Sequence, residues 1–148
     1  MVEDPFRFNS GGMAMPDELL YEARQKIAGI TLHEITPQGV RLTWNLQGQV
    51  SGRYNASRNE TAKGLLKADG TSEFELLFVD RTSEGEIVLG KASGTGRPMG
   101  GSKTHVEGAG SFMTGSGRLA WLNSTKGRFE GSVDLDSGDV LVKVYSVK

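Results

Sequence analysis

The chain has 148 residues, no cysteine and a formal net charge of −1. That length suits one domain able to bury its own core, and the missing cysteines exclude disulfides and thiolate metal sites. With 36% hydrophobic and 24% charged residues and no basic excess, the composition is globular and carries no nucleic-acid footprint.

Residues 1–15 show no sustained periodicity and contain Ser10-Gly11-Gly12, so a mobile tail or an edge cover is expected, followed by one domain over 16–148. The start is acidic and has no apolar stretch of the secretory kind, which makes cytoplasmic location the default expectation. No run reaches the roughly 18 apolar residues of a membrane span. Residues 16–27 (PDELLYEARQKI) read two ways. As a helix, Pro16 takes the first position and Leu19, Ala23 and Ile27 share a face. As a strand, Leu19, Tyr21, Ala23, Gln25 and Ile27 do. Local propensity leans to helix.

From residue 28 the period is two. Ile30–Ile35 is a strand ended by Pro37-Gln38-Gly39. Val40–Gln47 follows, with Val40, Leu42, Trp44 and Leu46 on one face and Arg41, Thr43, Asn45 and Gln47 on the other. Gln49–Tyr54 pairs with it, and the polar stretch 55–61 (NASRNET) reads as a loop. Thr61–Leu66 is a further strand, closed by the turn signal Ala68-Asp69-Gly70. Glu73–Val79 sets Phe74, Leu76 and Phe78 on one face, and Asp80–Gly85 reads as a polar turn. Glu86–Ala92 is a strand and 93–102 (SGTGRPMGGS) a flexible segment. Lys103–Thr114 is a long strand, Leu119–Leu122 a short strand or 3₁₀ piece, and Gly127–Leu135 and Val140–Val147 complete the set.

Eight or nine strands with turn signals every roughly 8–12 residues predict an all-β sandwich or barrel. The 21 glycines fall between and inside the β runs, where kinks let a sheet coil and close. The expected fold is therefore an antiparallel β-barrel of about eight strands.

Few motifs carry chemistry. Gly96–Thr104 has the glycines of a phosphate loop, but a serine separates Gly101 from Lys103 and a strand follows where that motif needs a helix. The triplets at Asn55, Asn59 and Asn123 read as polar turns, and Glu73/Glu75 and Glu84/Glu86 as solvated charges. His105 and Glu107 are two apart and share a strand face, the placing of an acid/base pair, but no third ligand makes a metal site and no G-x-S-x-G elbow is present. No cofactor is expected, and no residue is assigned as catalytic.

The inward aromatic set is Trp44, Phe74, Phe78, Phe112, Trp121 and Phe129, which either fills a barrel of this size or lines a space for one small ligand. Small residues at Gly108, Ala109 and Gly110 leave volume unclaimed. Candidate lining residues are Trp44, Phe74, Phe78, His105, Glu107, Phe112 and Trp121.

The C-terminal half, with Gly108-Ala109-Gly110-Ser111-Phe112-Met113-Thr114, then Gly115-x-Gly117-x-Leu119-Ala120-x-Leu122-Asn123 and Gly127-x-Phe129-Glu130, resembles a group of small uncharacterised prokaryotic barrel proteins. Those are similar in turn to allene oxide cyclase and dirigent barrels, so the resemblance implies a barrel of the calycin or allene-oxide-cyclase-like kind. The resemblance implies that residues 19–35 supply the first barrel strand, and no cyclase residue maps onto this chain. Three functions fit: a module binding a small apolar ligand, an isomerase- or cyclase-like enzyme, and a structural homo-oligomer with a filled core. Leu77, Val79, Leu141, Tyr145 and Val147 are outer-face candidates for a dimer contact, with neither nucleic acid nor membrane as partner.

Overall fold

The computed structural model describes residues 17–147, so the expected tail 1–15 lies outside the described residues. Within them eight strands form one closed antiparallel barrel in simple chain order: β1 (Leu19–Thr36), β2 (Gly39–Gly52), β3 (Ala56–Leu66), β4 (Ser72–Arg81), β5 (Ile87–Gly100), β6 (Lys103–Thr114), β7 (Lys126–Asp134) and β8 (Asp139–Ser146). A 3₁₀ helix, Ala120–Ser124, lies between β6 and β7. No described helix is long and apolar enough to cross a membrane.

The helical reading of 16–27 gives way to strand β1. Leu19–Lys26 is hydrogen-bonded to β8 on one edge and, from Tyr21 on, to β2 on the other, so two-sided pairing overrides a helix preference of a few tenths of a kcal/mol per residue. Register shifts at Ile27/Gly29 and Leu32/Glu34 move the inward set from Tyr21, Ala23, Gln25 and Ile27 to Ile30 and Leu32, then to Ile35.

Two further expectations are corrected. The polar stretch 55–61 is not a loop: from Ala56 it is the first half of β3, paired with β2 and β4. The glycine-rich 93–102 continues β5, paired with β6 through Pro98, and Gly100 and Gly101 make the hairpin turn at φ of 108° and 60°. Leu119–Leu122 resolves as the start of the 3₁₀ lid.

A pairing rule governs the core. Each inward phenylalanine stands directly across from a glycine: Phe74 from Gly64 and Gly94, Phe78 and Phe112 from Gly90, Phe129 from Gly108. A Cβ on Gly90 would lie 2.0 Å from the Phe78 ring, and one on Gly108 would lie 2.6 Å from that of Phe129. The rings therefore occupy the space that glycine leaves, as aromatic residues do over glycine in strongly coiled sheets. Gly108 is filled in this way rather than left open.

One end of the barrel is closed. Leu119 and Leu122 of the lid pack beneath Leu20, Tyr54 and Val88, all nearly inaccessible. Glu86 holds the lid from the β4–β5 connection, accepting from Ser116 Oγ at 2.5 Å, from the Arg118 guanidinium and from Thr82 Oγ1. At the other end lie the turns at 37–38, 67–71, 101–102 and 135–138.

Candidate functional site

The sheet leaves a cavity of about 780 Å³ inside the barrel. Its lining runs from Phe78 and Phe112 in the middle up to Leu66, Ala68, Pro98 and Leu135 at the open end, and is mostly aliphatic and aromatic. Ile35 and Leu32 at the rim are 84% and 66% exposed. The β residues that alternate inward determine this character, as in any barrel.

The floor is polar. Arg58 and Asp80 are direct cross-strand partners on β3 and β4, both facing in. Arg58 donates from Nε to Asp80 Oδ1 at 2.7 Å and from Nη2 to Oδ2 at 2.9 Å, a bidentate fork. Its Nη2 also donates to Tyr21 Oη at 2.8 Å, and Tyr54 Oη donates to Asp80 Oδ2 at 2.5 Å. The guanidinium lies over the Phe78 ring, 3.6 Å from its centre. Burial works against the Arg58 charge, but Tyr21 and Asp80 outweigh it and hold its pKa well above the ordinary arginine value. Burial raises the pKa of both tyrosines, so both stay protonated.

Above this pair on β3 is Glu60, whose side chain is 10% exposed and whose Oε1 stands 3.9 Å from Arg58 Nη1. Burial pushes its carboxyl above the ordinary glutamate range; Arg58 opposes that and Asp80 adds to it. Gln25 of β1 completes the group. Gln25, Gly48 and Arg58 lie in one row across β1, β2 and β3, and Gly48 approaches the Arg24 carbonyl so closely that a Cβ there would sit 2.0 Å from it. Gln25 is 7% exposed, and its Nε2 has no hydrogen-bond partner. Gln25 favours the charged form of the Glu60 carboxylate. Tyr21, Gln25, Arg58 and Glu60 all face the cavity.

Of the residues singled out from the sequence, Trp44, Phe74, Phe78 and Phe112 border this space. His105 and Glu107 do not: Thr104 and Val106 take the inward positions of β6, which leaves that pair on the outer wall with His105 Nε2 3.6 Å from Glu107 Oε1. Trp121 belongs to the lid, half-buried beneath the Arg53 guanidinium at 3.9 Å. Among the described residues no three histidine or carboxylate side chains gather as a metal site. Of the outer-face set, Leu77 and Val79 are exposed, adjoining exposed Leu89 and Met113 across β4, β5 and β6. Val147 is also exposed, whereas Leu141 and Tyr145 are half-buried, Tyr145 beneath Arg128.

No family model matches the chain, and no curated protein matches it in sequence. Solved structures do. A beta-barrel like protein from Acinetobacter baumannii AYE superposes with a TM-score of 0.77 at 16% identity, over 89% of this chain and 95% of that one. A protein with unknown function from Clostridium acetobutylicum ATCC 824 gives 0.78 at 18% identity, over 90% and 100%. An enzyme from Penicillium herquei gives 0.67 at 17% identity, over the whole of both chains. The likeness is one of fold. It bears out the expected likeness to bacterial barrels of unknown function in fold, while none of these proteins carries the finer resemblance to allene oxide cyclase and dirigent barrels.

The buried polar group was not read from the sequence. Arg58 and Glu60 fall in the segment taken for a loop, and Asp80 in one taken for a turn. The available signal was the alternation Ala56, Arg58, Glu60, Ala62, masked because the residues between them are polar as well.

Proposed function

We propose that this protein binds one small, mostly apolar molecule inside the barrel. The observation that carries the reading is the cavity of about 780 Å³, enclosed by apolar side chains on a closed sheet and floored by Tyr21 and Arg58. That volume is within the roughly 300–1,000 Å³ of small-molecule sites. The test is native mass spectrometry of protein purified from its own host, beside an Ala92→Phe variant. Ala92 lines the cavity next to Gly110, so the added ring fills the space without crossing the sheet. The wild type is expected to carry a non-covalent adduct that the variant lacks. Protein without adduct, whose Trp44 fluorescence also ignores apolar probes, would sink the proposal.

A second reading, an enzyme of the isomerase or cyclase kind, is favoured by Glu60, a carboxyl with a raised pKa facing an enclosed apolar space. That a similar fold serves an enzyme in Penicillium herquei is consistent with it. Under this reading, wild type and Glu60→Gln from the same host retain different molecules, isomers that chromatography separates. Retention of one and the same molecule by both excludes it.

A further inference from the structure

The polar floor of the cavity holds one more acid than base. Its ionisable members are Arg58, Asp80 and Glu60, since Tyr21 and Tyr54 stay protonated. Arg58 and Asp80 neutralise each other in their bidentate fork. Glu60 is left over: its Oε1 stands 3.9 Å from Arg58 Nη1, too far for a hydrogen bond. The wall beside it supplies no second cation. Glu60 pairs with Leu46 of β2 and Phe78 of β4, and the same rung continues to Ile27 of β1 and Gly90 of β5. Gln25 favours the charged carboxylate but brings no charge of its own. A carboxylate in such surroundings is costly without a counter-ion, and a leucine there would avoid the cost. Glu60 is also the member of this group that a ligand can reach. Its side chain is 10% exposed and borders the cavity, whereas Tyr21, Gln25, Arg58 and Asp80 are buried. The next inward residue of β3 is Ala62, paired with Trp44, and its single methyl group leaves the carboxyl open on that side.

Resting on the ligand-binding reading above, we infer that the molecule held in the barrel carries a protonated amine seated on the Glu60 carboxylate, with its apolar body in the cavity above. The ammonium group brings the floor to two positive and two negative charges. An alcohol would make the hydrogen bond and leave the charge uncompensated, and an anionic head would add a third acid. The opposite orientation, with the amine at the rim, is disfavoured because Lys67 and Lys103 border the opening.

Octylammonium, octan-1-ol and octanoate share one body and differ in the head, and calorimetric titration at neutral pH ranks them. Octylammonium is expected to bind about tenfold tighter than octan-1-ol, the gain of a charge-assisted hydrogen bond over a neutral one. Octanoate is expected to bind most weakly. Glu60→Gln should bring octylammonium down to the level of octan-1-ol or below it. Octan-1-ol should bind that variant as it binds the wild type, which shows the cavity intact. In the wild type the preference for octylammonium should shrink as pH is lowered toward 4.5, because protonation of Glu60 removes the negative charge. If none of the three binds, the ligand-binding reading itself falls, and this assignment with it. If octan-1-ol or octanoate binds as tightly as octylammonium, the cavity stands and the amine head is overturned. A preference for octylammonium that survives in Glu60→Gln, or that ignores pH, overturns it too.

Discussion

Arg58 and Asp80 show how much a single contact can govern in a barrel of this size. Each is nearly inaccessible, and each satisfies the other, so removing one strands a charge. Asp80→Ala is expected to cost about 3–5 kcal/mol in chemical denaturation, whereas the paired change Arg58→Met with Asp80→Leu should recover most of that loss. A double variant as unstable as the single one would show that the pair is needed for more than its own charge balance. Glu60 gives a prediction with a definite sign. Its folded pKa is raised from the ordinary value of 4.5, so the folded state holds the proton more tightly than the unfolded chain does. The stability this confers is complete below pH 4.5 and is lost as pH rises through the raised value. Glu60→Gln should therefore be more stable than wild type at neutral pH and lack that decline, read from denaturation midpoints across pH. None of these residues stood out in the sequence, because a buried polar cluster is assembled from separate strands and has the composition of a loop. Trp44, Phe74, Phe78 and Phe112 did stand out, since apolar alternation is visible one strand at a time.

At the scale of elements, what was legible followed from local pattern, and what was not depended on neighbours. β2 and β4 were plain from alternation alone. β1 was not, because Leu19, Ala23 and Ile27 satisfy a helical period as well as an extended one, and only the edges offered by β2 and β8 decide between them. The lid gives a test at this scale. Arg118, Ser116 and Thr82 hydrogen bonds hold the Glu86 carboxyl down to about 2 from its ordinary 4.5. A depressed carboxylate stabilises fully above its ordinary pKa, and that contribution disappears as pH falls from 4.5 toward about 2. Glu86→Ala should flatten the acid branch of the stability profile over this window. It should also speed hydrogen exchange at the Leu122 and Thr125 amides, which bond to Leu119 and Leu122, while β2–β3 amides keep their protection. Equal acceleration in the strands would mean that the lid and the barrel open as one unit.

For the whole molecule, closure and an unfilled interior are separate achievements. Closure was foreseeable from strand count, turn spacing and glycine placement. The cavity was not, because the same inward aromatics suit a filled barrel. What leaves room is the seating of the rings: Phe74, Phe78, Phe112 and Phe129 lean onto glycines of the wall instead of crossing the interior.

That seating makes the phenylalanines and glycines hereditary partners. Gly90→Ala alone puts a methyl group into the Phe78 ring and should cost about 1–3 kcal/mol. Phe78→Leu alone opens a void and strips the ring from beneath Arg58, a loss of about 1–3 kcal/mol. Together the two changes trade volume across one rung of the sheet, and the double variant should be more stable than the sum of the singles by about 1 kcal/mol or more. A lineage can exchange such a pair only by passing through a weaker ancestor. Either change can come first, since the two single losses are of the same size. Descendants of this chain should therefore keep or lose each ring together with the glycine that faces it.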